Sequence, residues 1–248
     1  MQLRYQTDGG IGTLANLGLI VLQTDETIEH EMVQLMKRPG VALYHSRIPM
    51  PPQVSSETLA KMEEDLPAAA ELFPISLDFD VIGYGCTSAA AVIGPEGVAR
   101  AIHRVWPDAL VAEPISAAIA ACRALGARRI GFVTPYVAEV SAKMRAMLED
   151  NGCAIVGFGS FKEGDDRRVA RITEGSILAA IETVSGQGDC DAVFVACTNL
   201  RVAGIVEEAE ARIGRPVLSS NLALAWQMLT LAGLDPSRPG LGRLFNGS

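Results

Sequence analysis

The sequence predicts an α/β chain of two pseudo-symmetric Rossmann-like lobes, each a doubly wound parallel sheet, with the active site between them. Three observations carry this. Strand-length apolar stretches alternate with segments of helical period along most of the 248 residues. Asp80-Val-Ile-Gly-Tyr-Gly-Cys86-Thr87-Ser88 and Asp191-Ala-Val-Phe-Val-Ala-Cys197-Thr198-Asn199 repeat one pattern about a hundred residues apart. Leu17-Gly18-Leu19-Ile20-Val21 and Arg129-Ile130-Gly131-Phe132-Val133 open the two halves alike.

Strands are expected at 17–22, 41–44, 81–84, 109–112, 130–133, 154–158, 192–195 and 217–218. Helical segments fall between them at 26–37, 57–71, 88–104, 115–125, 136–150, 169–184, 200–212 and 221–232. Eight such units close a barrel or form two doubly wound lobes, and the internal repeat decides for lobes. Residues 1–113 with 222–248 form the first, carrying Cys86, and 114–221 the second, carrying Cys197. The chain crosses near Glu113-Pro114 and returns near Ser219 to Asn221, with the Arg238-Pro239-Gly240 tail back on the first lobe. In open sheets of this kind ligands bind outside the carboxyl ends of the strands, where both cysteines fall.

Composition narrows the function. A net charge of −8 with no basic stripe argues against a nucleic-acid partner. Apolar runs are broken well before the roughly 20 residues of a spanning helix, which argues against a membrane partner. No signal-type apolar run precedes residue 14, so the cytoplasm is expected. Five cysteines, an odd number without scaffold spacing, point to reduced thiols. No CxxC or Cys/His cluster marks a metal site.

A thiol between a strand and a helix N-terminus gains from unpaired amides and the helix dipole, which favour thiolate. Cys86 and Cys197 are both expected there, as a catalytic pair facing one crevice. Their neighbours Thr87, Ser88, Thr198 and Asn199 are candidates to hold a carboxylate and stabilise it as charge delocalises. Asp25, in the turn after the first strand, is a helix cap or a substrate contact. Tyr136, in the matching turn of the second half, aims its hydroxyl at the site or is a buried, hydrogen-bonded tyrosine. Cys122 sits on an apolar helix face and reads as core, and Cys153 and Cys190 have no duplicated counterpart. His45 and Arg47, at a strand end, read as holding a loop. Asp8-Gly-Gly-Ile-Gly precedes the first strand and so is no phosphate loop. With no Ser/His/Asp constellation, hydrolase chemistry is not indicated.

These residues together resemble the aspartate/glutamate racemase superfamily, in its branch of maleate cis-trans isomerases and arylmalonate decarboxylases. The resemblance rests on the run from Ile20 through Gln23-Thr24-Asp25-Glu26-Thr27 to Glu29, on Tyr44-His45-Ser46-Arg47, and on Gly83-Tyr84-Gly85-Cys86-Thr87-Ser88. It continues through Gly126 to Ile130, Thr134-Pro135-Tyr136, Ala196-Cys197, Gly214 to Val217 and Arg238-Pro239-Gly240, covering nearly the whole chain. It implies a site between two lobes, no cofactor or metal, a small carboxylate substrate and a homo-oligomer. In the isomerase branch the cysteine matched by Cys86 attacks the alkene and the one matched by Cys197 moves a proton. Decarboxylases keep only the second cysteine, so two thiols point to a cofactor-independent cis-trans isomerase. The alternatives are an amino-acid racemase, an arylmalonate decarboxylase-like enzyme and a small-acid sensor.

Two positions depart from the family pattern. Asp25 stands where maleate isomerases place a carboxylate-binding Asn, and Asn199 differs from the residues usual after the second cysteine. An ionised Asp25 near a second carboxylate would repel it by about 1 to 4 kcal/mol at ~4 Å, which favours a substrate with an amino or amide group.

Overall fold

The computed structural model describes residues 1–50 and 56–246, so residues 247 and 248 of the expected first-lobe tail lie outside the described residues. The first half contains β1 (Ala15–Leu22), α1 (Ile28–Met36), β2 (Val41–Ile48), α2 (Ser56–Ala70), β3 (Val81–Gly85), α3 (Thr87–Ile93), α4 (Pro95–His103) and β4 (Leu110–Ala112). Then follow α5 (Pro114–Ala124), β5 (Arg129–Thr134), α6 (Ala138–Asp150), β6 (Ala154–Ser160), α7 (Asp166–Val169) and α8 (Glu174–Ser185). The chain closes with β7 (Ala192–Val195), α9 (Val206–Ile213), β8 (Val217–Ser219) and α10 (Ser220–Leu231).

Two parallel four-stranded sheets result, ordered β2-β1-β3-β4 and β6-β5-β7-β8. The strand order reverses between β1 and β3 in one sheet and between β5 and β7 in the other. A crevice opens at the carboxyl ends of such a pair because the connections leave in opposite directions. Those ends carry the turn with Asp25 and the Cys86 junction in the first sheet, and Tyr136 with Cys197 in the second. The repeat extends to the strand starts. Asp80 accepts the Asn16 amide at 2.9 Å, and Asp191 accepts those of Arg128 and Arg129 at 2.9 and 2.8 Å, so each acid ties its cysteine strand to the central strand beside it.

Central strands β3 and β7 are buried along their whole length, as both-face coverage by helices requires. The glycines of Gly83-Tyr84-Gly85 let those helices close in. A Cβ on Gly83 would stand 2.6 Å from Met228 of α10, and one on Gly85 2.6 Å from Ile28 of α1. Helix α10 lies against α1, β3 and β4 as well as α5. The tail touches both halves: Arg238 donates to the Gln34 carbonyl at 2.6 Å, while the Arg243 amide reaches the Glu210 carboxylate at 3.0 Å.

Three helices differ from the sequence reading, and the one expected from 200 begins as α9 only at Val206, after a 3-10 turn over Ala203–Ile205. The span expected at 88–104 is broken by Gly94, whose φ of 83° no helix interior tolerates, and restarts at Pro95. The helix expected from 169 starts at Glu174, where the Thr173 hydroxyl caps the Ser176 amide, and α7 stands alone before it. Among the described residues no helix is long and apolar enough to cross a membrane.

Candidate active site

Strand β3 delivers Cys86 to the N-cap of α3 with an ordinary extended backbone, φ −148°. Its sulfur accepts the Ala89 amide at 3.3 Å and lies 3.5 Å from Ser88 Oγ. Strand β7 delivers Cys197 differently. Its φ is 112°, in the region that favours glycine, and a turn and a 3-10 segment separate it from α9. The expectation that both thiols sit at a helix mouth therefore holds only for Cys86. Cys197 Sγ instead accepts the Asn199 amide at 3.4 Å and faces the Tyr136 hydroxyl.

The expected stabilisation of thiolate is not found in this closed crevice. Each cysteine is 2% exposed. Burial pushes Cys86 up to about 12, with the Ser88 and Ala89 hydrogen bonds opposing and the charges of Asp166 and Asp25 adding. Burial also pushes Cys197 well up, and Asp166 adds to it. Desolvation outweighs the pull of the amides at both thiols.

A hydrogen-bond network ties the two cysteine turns together. Ser220 Oγ, at the start of α10, accepts both the Thr87 hydroxyl at 2.7 Å and the Cys197 amide at 3.0 Å. Thr198 Oγ1 lies 2.8 Å from Asp25 Oδ2 and 3.3 Å from the Gly85 carbonyl. Asn199 accepts the Glu26 amide at 2.9 Å through its side-chain oxygen and donates to the Asp166 carbonyl at 3.0 Å. Asp25 Oδ1 accepts the amides of Thr27 and Ile28, both at 2.8 Å, and so caps α1. Burial raises its carboxyl to about 6 despite these bonds.

All eight residues singled out in the sequence thus meet in one buried cluster. Ser88 and Tyr136 lie against the thiols, whereas the side chains of Asp25, Thr87, Thr198 and Asn199 are committed to bonds between the two halves. Tyr136 satisfies both of its readings: it is 4% exposed, and the charges of Cys197 and Cys86 are both felt at its hydroxyl. Arg47 holds a loop as expected, donating to the carbonyls of Leu22, Gln23 and Asp25 at 3.1 to 3.2 Å. His45 does not end its strand, since β2 runs on to Ile48.

Four residues of this cluster were not singled out in advance. Ser220 is the shared acceptor described above. Glu31 Oε1 accepts the amides of Val202 and Ala203 at 2.9 and 3.0 Å, fixing the turn after Cys197. Its Oε2 accepts Asn221 Nδ2 at 2.7 Å, and Asn221 in turn donates to the Thr198 carbonyl at 2.8 Å. Burial raises Glu31 to about 7. Asp166, at the start of α7, accepts the Thr24 hydroxyl at 2.5 Å and is 4% exposed. Its only sequence signal was a charged run, Asp165-Asp166-Arg167-Arg168, that reads as solvated surface.

Among the described residues no group of three or more His, Cys, Asp or Glu side chains is placed to hold a metal ion. The chemistry on offer is that of two thiols, a phenol, hydroxyls and buried acids. A non-glycine residue held at positive φ against such a cluster is strain of the kind active sites keep.

Comparison with known proteins places this geometry. The arylmalonate decarboxylase family matches residues 107–245. A maleate isomerase of Nocardia farcinica is 31% identical over 94% of this chain and 96% of its own. A crystal structure of the maleate isomerase Iso from Pseudomonas putida S16, a cysteine-to-alanine variant with maleate, superposes with a TM-score of 0.85. It is 26% identical, covering 94% of this chain and 98% of that one. A Nocardia farcinica maleate cis-trans isomerase, a cysteine-to-serine mutant with a covalently bound succinylcysteine intermediate, gives 0.82 at 28% identity over 93% and 98%. The chain therefore belongs to the maleate isomerase and arylmalonate decarboxylase branch of the aspartate/glutamate racemase superfamily, and is an isomerase of that branch.

Proposed function

We propose that the chain interconverts the cis and trans forms of a small unsaturated carboxylic acid of the maleate type, using Cys86 as nucleophile and Cys197 as proton donor and acceptor. The observation that carries this is the pair of buried thiols at equivalent strand ends, their turns joined through the Ser220 hydroxyl.

Burial keeps the Cys86 thiol protonated at rest, so its proton first passes to bulk water as substrate enters and returns when product leaves. The thiolate so formed adds to one alkene carbon, forming a C–S bond, while Cys197 gives its proton to the other. The former double bond is then single and turns. Cys197 takes a proton back from the same carbon, the C–S bond breaks and the trans acid leaves, so atoms and charge balance with no cofactor. Tyr136 and Ser88 touch the substrate carboxylate or the thiols, and Thr87, Thr198, Asn199 and Asp25 hold the two cysteine turns at the required separation. Strain at Cys197 fixes the direction of its sulfur. The succinylcysteine held by the Nocardia farcinica relative supports the covalent step.

The same proposal divides the chain into a first lobe of 1–113 with 222–248 and a second of 114–221, supported by the two separate sheets, β1 to β4 and β5 to β8. It takes the enzyme to be cytoplasmic, supported by five free cysteines, and a homo-oligomer, which rests on the family resemblance alone. Proton NMR in deuterated water, with a panel of cis-unsaturated acids and amino acids and the Cys86→Ala variant beside the wild type, tests the reaction. Conversion of a cis alkene that depends on Cys86 is the expected result. Deuterium exchange at a stereocentre without isomerisation would make the enzyme a racemase instead.

A further inference from the structure

The reaction as written uses neither Glu31 nor Asp166; Glu31 is spent on the Val202, Ala203 and Asn221 donors, which leaves Asp166. Asp166 opens α7 in the second half of the chain, yet its Oδ2 accepts the Thr24 hydroxyl from the turn between β1 and α1. Its backbone carbonyl is held by Asn199, two residues after Cys197. The residue is thus pinned where the two switch points meet, and its negative charge is felt at both thiols, at Tyr136 and at Asp25. Two carboxyl groups therefore share the crevice with the thiols. Neither has an ion-pair partner among the described residues.

The two acids differ in what they have left to offer. A carboxylate has about four lone-pair sites. Asp25 spends two on the amides of Thr27 and Ile28 and one on Thr198. Asp166 spends one on the Thr24 hydroxyl, Asn199 being held by the Asp166 backbone carbonyl, and keeps the rest.

We propose that Asp166 selects the substrate by accepting an N–H of a carboxamide, so that the acid turned over is the monoamide of a cis-unsaturated diacid rather than the diacid itself. This assignment rests on the isomerase reading above. An amide has nearly the shape of a carboxylate but presents two donors where the carboxylate presents acceptors. A second carboxylate set against Asp166 would meet like charge in a crevice with little water to screen it. A neutral amide brings no further ion into that crevice and satisfies an acceptor already there.

The test is calorimetric binding of a saturated, unreactive pair, succinamate and succinate, to wild type and Asp166→Asn at mildly alkaline pH. The substitution is isosteric, and a melting scan confirms folding. Wild type is expected to bind succinamate at least about tenfold tighter than succinate, and Asp166→Asn to lose or invert that preference. Turnover of maleamate and maleate, followed in parallel, should keep the same order. Succinate binding as tightly as succinamate, binding of neither, or a preference that survives in Asp166→Asn overturns the role of Asp166. The expected binding preference with no isomerisation of either alkene upholds that role and overturns the isomerase reading instead.

Discussion

Cys86 and Cys197 end equivalent strands of equivalent sheets, yet the chain leaves them in different backbone states. Cys86 is relaxed and caps a helix, its sulfur taking the Ala89 amide at 3.3 Å. Cys197 sits at φ 112° with no helix behind it, held from outside by Ser220 and by the Glu31-bound turn that follows. The repeated motif presents two thiols, and the second turn sets them in different surroundings. A helix cap is a local device that specifies itself, whereas a strained turn exists only while distant residues enforce it. The Cys86 side of the crevice is built from neighbours in sequence, and the Cys197 side from contacts spanning the fold.

Removing the thiols should give the largest effects and expose the difference in role. Cys86→Ala has no sulfur to add and should lose isomerisation altogether. Cys197→Ser should lower kcat by about 10²–10⁴-fold, the usual worth of a positioned proton donor, while still adding substrate to Cys86. Intact-mass spectrometry after incubation with a cis acid should therefore show an adduct on Cys197→Ser and none on Cys86→Ala. Full activity in either variant would end the two-thiol mechanism.

The bond between the two turns should show next, as a dependence of stability on pH. The folded protein holds a proton on Asp25 up to about pH 6, against 3.8 for the ordinary carboxyl, because burial disfavours its charge. Folding is thus most favoured below the lower value, and the advantage is lost as pH rises towards the higher one. The shift corresponds to about 3 kcal/mol at most. The geometry explains how the proton is housed. Thr198 has one hydroxyl hydrogen and two acceptors, Asp25 Oδ2 and the Gly85 carbonyl. A protonated Asp25 can donate to Thr198, which then donates to Gly85. Asp25→Asn reproduces that arrangement without charge and keeps an oxygen for the Thr27 and Ile28 amides. Its denaturation midpoint should fall less steeply from pH 4 to 6 than that of the wild type, the remaining fall belonging to Glu31, which burial raises to about 7.

Legibility followed the same division between local and distant. The strand pattern, the repeat and the Cys-Thr junctions could be read directly, because alternating burial and a duplicated motif are properties of neighbouring residues. All eight strands begin within two residues of expectation because apolar runs of Val, Ile and Phe have sharp polar ends, and β2 differs only at its other end, running on through His45 to Ile48. The anchors of Cys197 could not be read that way. Glu31, Ser220 and Asn221 lie in helices whose period explains them without reference to a cysteine far away in sequence. Asp166 was hidden by its basic neighbours, which suggested a solvated face. The expectation of low thiol pKa failed because helix-terminus amides are visible in sequence while desolvation is not.

Ser220→Ala tests the external anchor. It strips the Thr87 hydroxyl and the Cys197 amide of a shared acceptor inside the protein, a loss of about 2 kcal/mol for buried polar groups left unpaired. Chemical denaturation should report that loss. Steady-state kinetics should show kcat falling more than KM rises, since the Cys197 sulfur is displaced while the substrate's other contacts remain. An unchanged kcat would mean that strain alone keeps Cys197 in place.

The smallest effect isolates the strain itself, and needs only glycine and alanine at each cysteine. Both replacements remove the thiol, so comparing them cancels most of the lost packing and leaves the backbone. At Cys197 alanine inherits a φ of 112° that costs any side chain, whereas glycine adopts it freely. Cys197→Gly should therefore be more stable than Cys197→Ala by about 1 kcal/mol, even after the greater chain entropy that glycine gives the unfolded state. At Cys86, with φ −148°, there is no strain to relieve. Glycine's preference for the N-cap there roughly offsets its entropy cost, and the pair should agree within about 0.5 kcal/mol. Equal differences at the two sites would mean that the second turn is as relaxed as the first, and that the orientation of Cys197 comes from its hydrogen bonds without stored backbone energy.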